Sequence, residues 1–143
     1  MTDIASAPYT LDAGPTVVLL ADPDIHRRDT YVSSLRSAGF EVMTAADDAS
    51  ALVAASGAIS AIVLRHQAGS NGAVPAFCRQ IRAAAKTRNI PVVVLTAFDD
   101  EHTREQIVRS GATAILTEPL KQDLLVRRLR QLITHSGRRR RAS

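Results

Sequence analysis

The chain has 143 residues, one cysteine and a formal net charge of +4, which fits a single domain with its own core and leaves no intrachain disulfide to form. Hydrophobic residues make up 45% but aromatics only 3%, so the core is aliphatic, and no apolar run approaches the ~20 residues of a membrane span. Arg138, Arg139, Arg140 and Arg141 supply four of the 18 basic side chains; the rest balance the 14 acids, which excludes a basic nucleic-acid-binding body.

Residues 1–15 lack the basic start and apolar stretch of a secretion signal and read as a flexible segment. Val17-Val18-Leu19-Leu20 follows Gly14-Pro15 as a continuous apolar run, the pattern of a strand buried on both faces. Asp24 to Ala38 predicts a helix with Ile25, Val32 and Leu35 inward and Gly39 ending it. Glu41 to Thr44 is a short strand, and Asp47 or Asp48 then caps a second helix running through Leu52 and Ala55 to Gly57. Ile59 to Leu64 is the third strand. The turn-rich Gly69-Ser70-Asn71-Gly72 leads into a helix from Val74 to about Lys86. Pro91 opens the fourth strand, Val92 to Leu95. Asp99, Asp100 and Glu101 fall in the first turn of the fourth helix, where they favour its dipole, and Gly111 ends it. Ala114-Ile115-Leu116 is the fifth strand, and Leu120 to about Ile133 the last helix.

Short apolar strands alternating with helices imply βαβ units, and therefore a parallel sheet covered on both faces. Right-handed crossovers narrow the arrangements. The expected fold is α/β and flavodoxin-like: a doubly wound five-stranded parallel sheet of order 2-1-3-4-5 with five helices. Residues 16–134 form this domain, and 135–143 read as a basic flexible tail. Sites in such a sheet lie at the carboxyl ends of the strands. These are the neighbourhoods of Asp22 to Asp24, Arg65 and His66, Thr96 to Phe98, and Thr117 to Pro119.

Those segments resemble the receiver domain of two-component response regulators, from about Thr16 to Ile133. Ile90-Pro91-Val92-Val93-Val94-Leu95-Thr96-Ala97 is similar to the family's fourth strand, with Thr96 at its phosphate-contacting hydroxyl. Gly111-Ala112 through Thr117-Glu118-Pro119 is similar to its Gly-Ala…Lys-Pro segment, and Cys78-Arg79-Gln80-Ile81-Arg82 is typical of its third helix. The resemblance implies an acceptor aspartate after strand three, a carboxylate pair for Mg²⁺ after strand one, and a lysine after strand five. This chain departs at each place. Arg65, or His66 in a register shifted by one, stands at the acceptor. Asp22 matches the first acid of the pair, but Pro23 takes the second position and Asp24 comes one place late. Glu118 replaces the lysine, and Ile115 stands where many receivers carry an aromatic residue.

The expected reading is a degenerate pocket formed by Asp22, Asp24, Arg65, His66, Thr96 and Glu118, with no catalytic residue and no cofactor. Asp22 and Asp24 offer at most a weak Mg²⁺ site; otherwise Asp24 caps the helix and Pro23 suits its start. Arg65 and Glu118 either form an ion pair of reversed polarity or leave Arg65 extended into solvent. The chain is then expected to be a cytoplasmic, stand-alone pseudo-receiver, not an enzyme. It would bind a protein partner, a signalling kinase or regulator, independently of phosphorylation. The fourth helix, fifth strand and fifth helix form the face that receivers use for docking or homodimerisation. Here it carries Asp99, Asp100, Glu101 and Glu105 against Arg127, Arg128 and Arg130, with Ile115 between them. One alternative is a regulator phosphorylated at an unconventional residue such as His66. Another is a nucleic-acid-associated regulator using Arg138 to Arg141 as anion contacts, which is disfavoured because four phosphate contacts bind weakly at physiological salt. Flavin binding, hydrolase chemistry and nucleotide binding are disfavoured: Asp22 and Asp24 would repel a phosphate, and no G-x-S-x-G, G-x-G-x-x-G or Walker A segment occurs.

Overall fold

A computed structural model describes residues 15–47, 57–67, 72–97 and 100–142, with the backbone alone for 137–142. The apolar runs form strands β1 (Val17–Ala21), β2 (Glu41–Ala45), β3 (Ala61–His66), β4 (Val92–Thr96) and β5 (Ala114–Thr117). All pairings are parallel, in the order β2-β1-β3-β4-β5. The described helices are α1 (Ile25–Ser37), α2 (Ala73–Ala83), α3 (Glu101–Ser110) and α4 (Gln122–Ala142). The predicted helix between β2 and β3 falls largely on residues 48–56, outside the described residues.

Alternation along each strand divides the core between the two faces of the sheet. Leu19, Ile62, Leu64, Val92 and Val94 face one way and pack with Phe77 and Ile81 of α2 and Ile107 of α3. Val18, Leu20, Val63, Val93 and Leu95 face the other way and pack with Tyr31 and Leu35 of α1 and Leu125 and Leu129 of α4. Burying each such aliphatic side chain stabilises the fold by roughly 1.5–3 kcal/mol. β4 is buried at every position, whereas the edge strand β2 exposes Glu41, Met43 and Thr44. That contrast explains why β4 reads as an unbroken apolar run and β2 as a mixed one. No helix among the described residues is long and apolar enough to cross a membrane.

The helix ends follow local chemistry. The Asp24 carboxylate accepts from Arg27 N at 3.0 Å and caps α1. Asp100 caps α3, accepting from Thr103 N at 3.1 Å and Thr103 Oγ1 at 2.7 Å. Gly111 ends α3 with φ of 116°, a left-handed conformation that suits glycine. Four expectations need correction. Ile25 is 55% exposed rather than inward, because the first turn of α1 starts beyond the carboxyl end of β1; Tyr31, Val32 and Leu35 make the buried face. Strands β1, β2, β4 and β5 each run one residue further, to Ala21, Ala45, Thr96 and Thr117, and β3 spans Ala61–His66 rather than Ile59 to Leu64. α2 stops at Ala83 rather than near Lys86: Ala84 is extended, and the Thr87 hydroxyl donates to Ile81 O at 2.6 Å. α4 starts at Gln122 and continues past Ile133 through Gly137 and Arg138–Arg141 to Ala142, so the basic run is helical rather than an extended tail. Arginine is a good helix former, and adding a turn to an existing helix avoids the cost of nucleation. Ser136, buried on α4, helps hold this extension by donating to Asn89 O at 2.9 Å.

Candidate functional site

The carboxyl edge of the sheet gathers the residues singled out above. The ladders place Arg65 beside Leu95, His66 beside Thr96, and Thr96 beside Thr117. Asp22 follows β1 directly, its N–H donating to Ala45 O at 3.1 Å. Glu118 follows β5 and donates its N–H to Thr96 O at 2.7 Å. Strand ends thus fix the backbone of each site residue, and side-chain pairing decides what the cleft can do.

Asp22 is only 1% exposed. Its carboxylate accepts from Asp24 N at 2.9 Å, while Arg27 grips both oxygens: Nε to Oδ2 and Nη2 to Oδ1, each at 2.9 Å. This is the bidentate fork that suits arginine to a buried carboxylate. The hydrogen bond that Arg27 donates to Asp22, with the nearby carboxylate charges, raises the Arg27 pKa, so it stays charged. Arg28 adds a bond from Nη1 to Asp22 O at 2.7 Å. Asp24 keeps its exposed capping position, where the backbone N–H of Arg27 lowers its pKa.

Across the cleft, Arg65 Nη1 meets Glu118 Oε1 in an ion pair, the side chains 13% and 12% exposed. Arg65 Nε is buried without a hydrogen-bond partner. The other Glu118 oxygen, Oε2, accepts from Tyr31 Oη at 2.5 Å. Burial and the nearby Arg27 charge push the Arg65 pKa down; a carboxylate in contact opposes both and keeps the guanidinium ionised. The Tyr31 pKa is raised by burial. His66 Nδ1 shares a hydrogen bond with the buried Thr96 Oγ1 at 3.1 Å, and burial, then Arg65, lowers the histidine pKa. Arg65 also lines a cavity of about 210 Å³ with Ala21, Pro23, Asp47 and Val74.

The cleft therefore holds two buried carboxylates, each paired with a guanidinium. It does not fit a divalent cation. Mg²⁺ needs carboxylate oxygens free to coordinate, but both oxygens of Asp22 are taken by Arg27, Pro23 brings no side-chain oxygen, and one oxygen of Asp24 is committed to the helix cap. Among the described residues no cluster of three or more His, Cys, Asp or Glu side chains is arranged to hold a metal. Arg27 and Tyr31 are the members that the sequence reading missed. Arg27 lies five positions beyond Asp22, a spacing that belongs to no motif, and Tyr31 is one of several core positions on α1.

The proposed docking face is only partly assembled. Glu101, Glu105, Arg127 and Arg128 are exposed, and Asp100 is spent as the cap of α3. Arg109 lies 3.9 Å from Glu105. Ile115 is half-buried against the core rather than displayed. Arg130 turns the other way, donating from Nη2 to Ala38 O at 2.7 Å and lying over the Phe40 ring at 5.9 Å, because α4 packs beside α1. Asp99 and the side chains of Arg138 to Arg141 lie outside the described residues. Arg104, on α3, reaches Thr117 Oγ1 at 3.3 Å and links that helix to β5.

No protein-family model matches the chain. Among curated proteins it is similar to the response regulator PleD of Caulobacter vibrioides, 37% identical over 95 residues that cover 65% of this chain and 20% of PleD. It is also similar to the sensory transduction protein RegX3 of Mycobacterium tuberculosis, 28% identical over 122 residues, 85% of this chain and 52% of RegX3. The chain thus spans a fifth and about half of these relatives. Among solved structures, the chemotaxis protein CheY4 of Vibrio cholerae superposes with a TM-score of 0.76 at 25% identity, covering 83% of this chain and 99% of that one. The receiver domain of the sensor histidine kinase PA1611 from Pseudomonas aeruginosa, solved with a magnesium ion coordinated in its active site cleft, gives a TM-score of 0.76 at 26% identity over 85% and 99% of the two chains.

Proposed function

Since the chain is a receiver domain of the response-regulator kind, we propose that it is a pseudo-receiver, a signalling module that docks a protein partner with no phosphorylation step. The observation that carries this reading is the Arg65–Glu118 ion pair. By resemblance, Arg65 holds the acceptor position and Glu118 the lysine position. Phosphoryl transfer works by positioning and charge neutralisation around the transferred group. A cleft whose charges already neutralise one another offers neither a carboxylate to accept the group nor a cation free to hold it. Thr96 keeps its hydroxyl but shares it with His66.

The Mg²⁺-bound cleft named for the PA1611 receiver is the informative contrast. There a metal sits in the cleft; here the Asp22 oxygens face a guanidinium. What remains is the external surface, and the exposed charges of α3 and α4, with α3 tied to β5 through Arg104 and Thr117, form the face on which a partner would dock. Partner recognition there rests on charge complementarity, which tunes specificity and encounter rate more than raw affinity.

Amide NMR spectra recorded with MgCl₂ and then with beryllofluoride, a mimic of an aspartyl phosphate, test the reading. Unmoved signals at Asp22, Arg65, Thr96 and Thr117 are expected. Shifts centred on those residues and spreading into α3 would show that phosphoryl chemistry survives, and the proposal would fall.

A further inference from the structure

Beyond the loss of a phosphorylation step, the cleft shows what has taken the metal's place. We infer that Arg27 is a tethered cation that fills the divalent-ion position of this fold in place of a metal. The first support is geometric. A bound divalent ion would have to take oxygens from Asp22, and Arg27 holds both of them at 2.9 Å while the Asp24 N–H adds a third hydrogen bond at 2.9 Å. A carboxylate 1% exposed with every bond directed at protein has no water-facing oxygen to offer.

The second support is the way Arg27 itself is fixed. Its backbone N–H donates to the Asp24 carboxylate at 3.0 Å and its Nη1 lies 3.7 Å from Asp24 Oδ2. The same residue therefore spans both acids that a metal would use, one through its fork and one through its main chain. Its side chain is 33% exposed, so the cation enters from the solvent side, the direction from which a hydrated ion would approach. Arg28, its neighbour, closes on Asp22 O at 2.7 Å and occupies the one remaining oxygen of that residue. Together the two arginines and the Asp24 N–H engage every oxygen of Asp22, main chain and side chain.

The third support is the charge count. Arg65 stands near the same carboxylate, close enough that Arg27 and Asp22 both act on its titration. Mg²⁺ added to this cleft would meet two guanidiniums, and displacing either would strand a buried carboxylate. An internal cation costs no metal uptake and cannot be removed by a chelator, which suits a domain meant to hold one arrangement under all conditions.

This inference is independent of partner docking and can fail alone. The test is a titration of the full chain with MgCl₂, and with Mn²⁺ as a paramagnetic probe that broadens nearby amide signals, on the wild type and on Arg27→Gln. Wild-type Asp22 and Asp24 amides are expected neither to shift nor to broaden, and the melting temperature to be unmoved by Mg²⁺. Arg27→Gln is expected to melt lower, to be raised by Mg²⁺, and to bind the ion at least about tenfold more tightly than the wild type, equivalent to about 1.4 kcal/mol. Broadening confined to Asp22 and Asp24 in the wild type would overturn the inference. So would a folded Arg27→Gln with no response to either ion, since something other than Arg27 would then be excluding the metal. Should Arg27→Gln not fold, the wild-type titration still decides, and Arg27→Lys, which keeps the charge but loses the fork, is expected to fold and to remain insensitive to Mg²⁺.

Discussion

Removing Glu118 strands two groups, whereas removing Arg65 strands one, and that asymmetry makes the pair measurable. Arg65 and Glu118 are 13% and 12% exposed, and Glu118 also accepts from Tyr31 Oη at 2.5 Å. Two unit charges 4 Å apart gain about 4 kcal/mol at an effective dielectric of about 20, much of it offset by desolvation; deleting one partner of a buried pair costs about 3–5 kcal/mol. Arg65→Ala leaves Glu118 with its tyrosine, so a loss near the lower end, about 3 kcal/mol, is expected. Glu118→Ala leaves a buried guanidinium and a phenol without their acceptor, and the charge-assisted bond from Tyr31 adds roughly 1.5 kcal/mol or more, so a loss of about 4–5 kcal/mol is expected. The double mutant should lose less than the sum by about 1–3 kcal/mol. Urea unfolding supplies the free energies, with unchanged slopes confirming that the denatured state is the same. Additivity within about 0.5 kcal/mol would mean the side chains do not interact, and the reading of the cleft as self-neutralised would be wrong. A further arm separates charge from volume: Arg65→Met with Glu118→Leu and Tyr31→Phe removes both charges together with the phenol that Glu118 accepts from, and should come out near neutral or more stable.

The remaining predictions concern the scaffold and pH. At Gly111 a Cβ would lie 2.6 Å from Arg82 Cγ, and φ is 116°, so Gly111→Ala should lose about 1–3 kcal/mol through backbone strain and overpacking. Urea unfolding reads that loss, and an unchanged midpoint would show that α3 does not need the left-handed stop. His66 has a folded-state pKa below its ordinary 6.5, from burial and then Arg65. The unfolded chain therefore binds more protons as pH falls, so this contribution is fully present above 6.5 and is lost as pH drops through the folded value. A His66→Gln variant should flatten that part of the stability–pH curve; an unchanged slope would place the titrating group elsewhere.

Much of the site was legible because strand ends are. The runs read as ending at Leu20, Leu64, Leu95 and Leu116 mark the carboxyl edge within a residue or two, and parallel order brings Asp22, Arg65, Thr96 and Glu118 to it together. Partnership across that edge was less legible. Arg65 and Glu118 drew notice because each reversed an expected charge, whereas Arg27 broke no expectation and so carried no signal. Its role depends on the direction in which the first turn of α1 leaves β1, which the Asp24 cap and the Asp24 N–H to Asp22 bond set. Ile25 was misread for a related reason: helical periodicity says which residues share a stripe, but not where the stripe runs past the sheet beneath it. The stop of α2 was hidden too, since Arg82 donates to Arg88 O and Ile90 O in the turn beyond the helix and to Gly111 O at the end of α3, two segments that only the folded chain brings together.

The charge pattern of the cleft is best understood as a single unit. Arg65 without Glu118 would be an unpaired cation near Asp22, and Glu118 without Arg65 would be an unpaired buried carboxylate beside Tyr31. Either state costs several kcal/mol, a large share of a marginal domain's stability. Arg65 and Glu118 satisfy each other, Arg27 satisfies Asp22, and Tyr31 ties α1 to the turn after β5. Both buried carboxylates of the cleft are then already compensated. On the proposed reading, Arg65→Asp alone should therefore not give phosphoryl transfer, because the new carboxylate would face Glu118 rather than a cation.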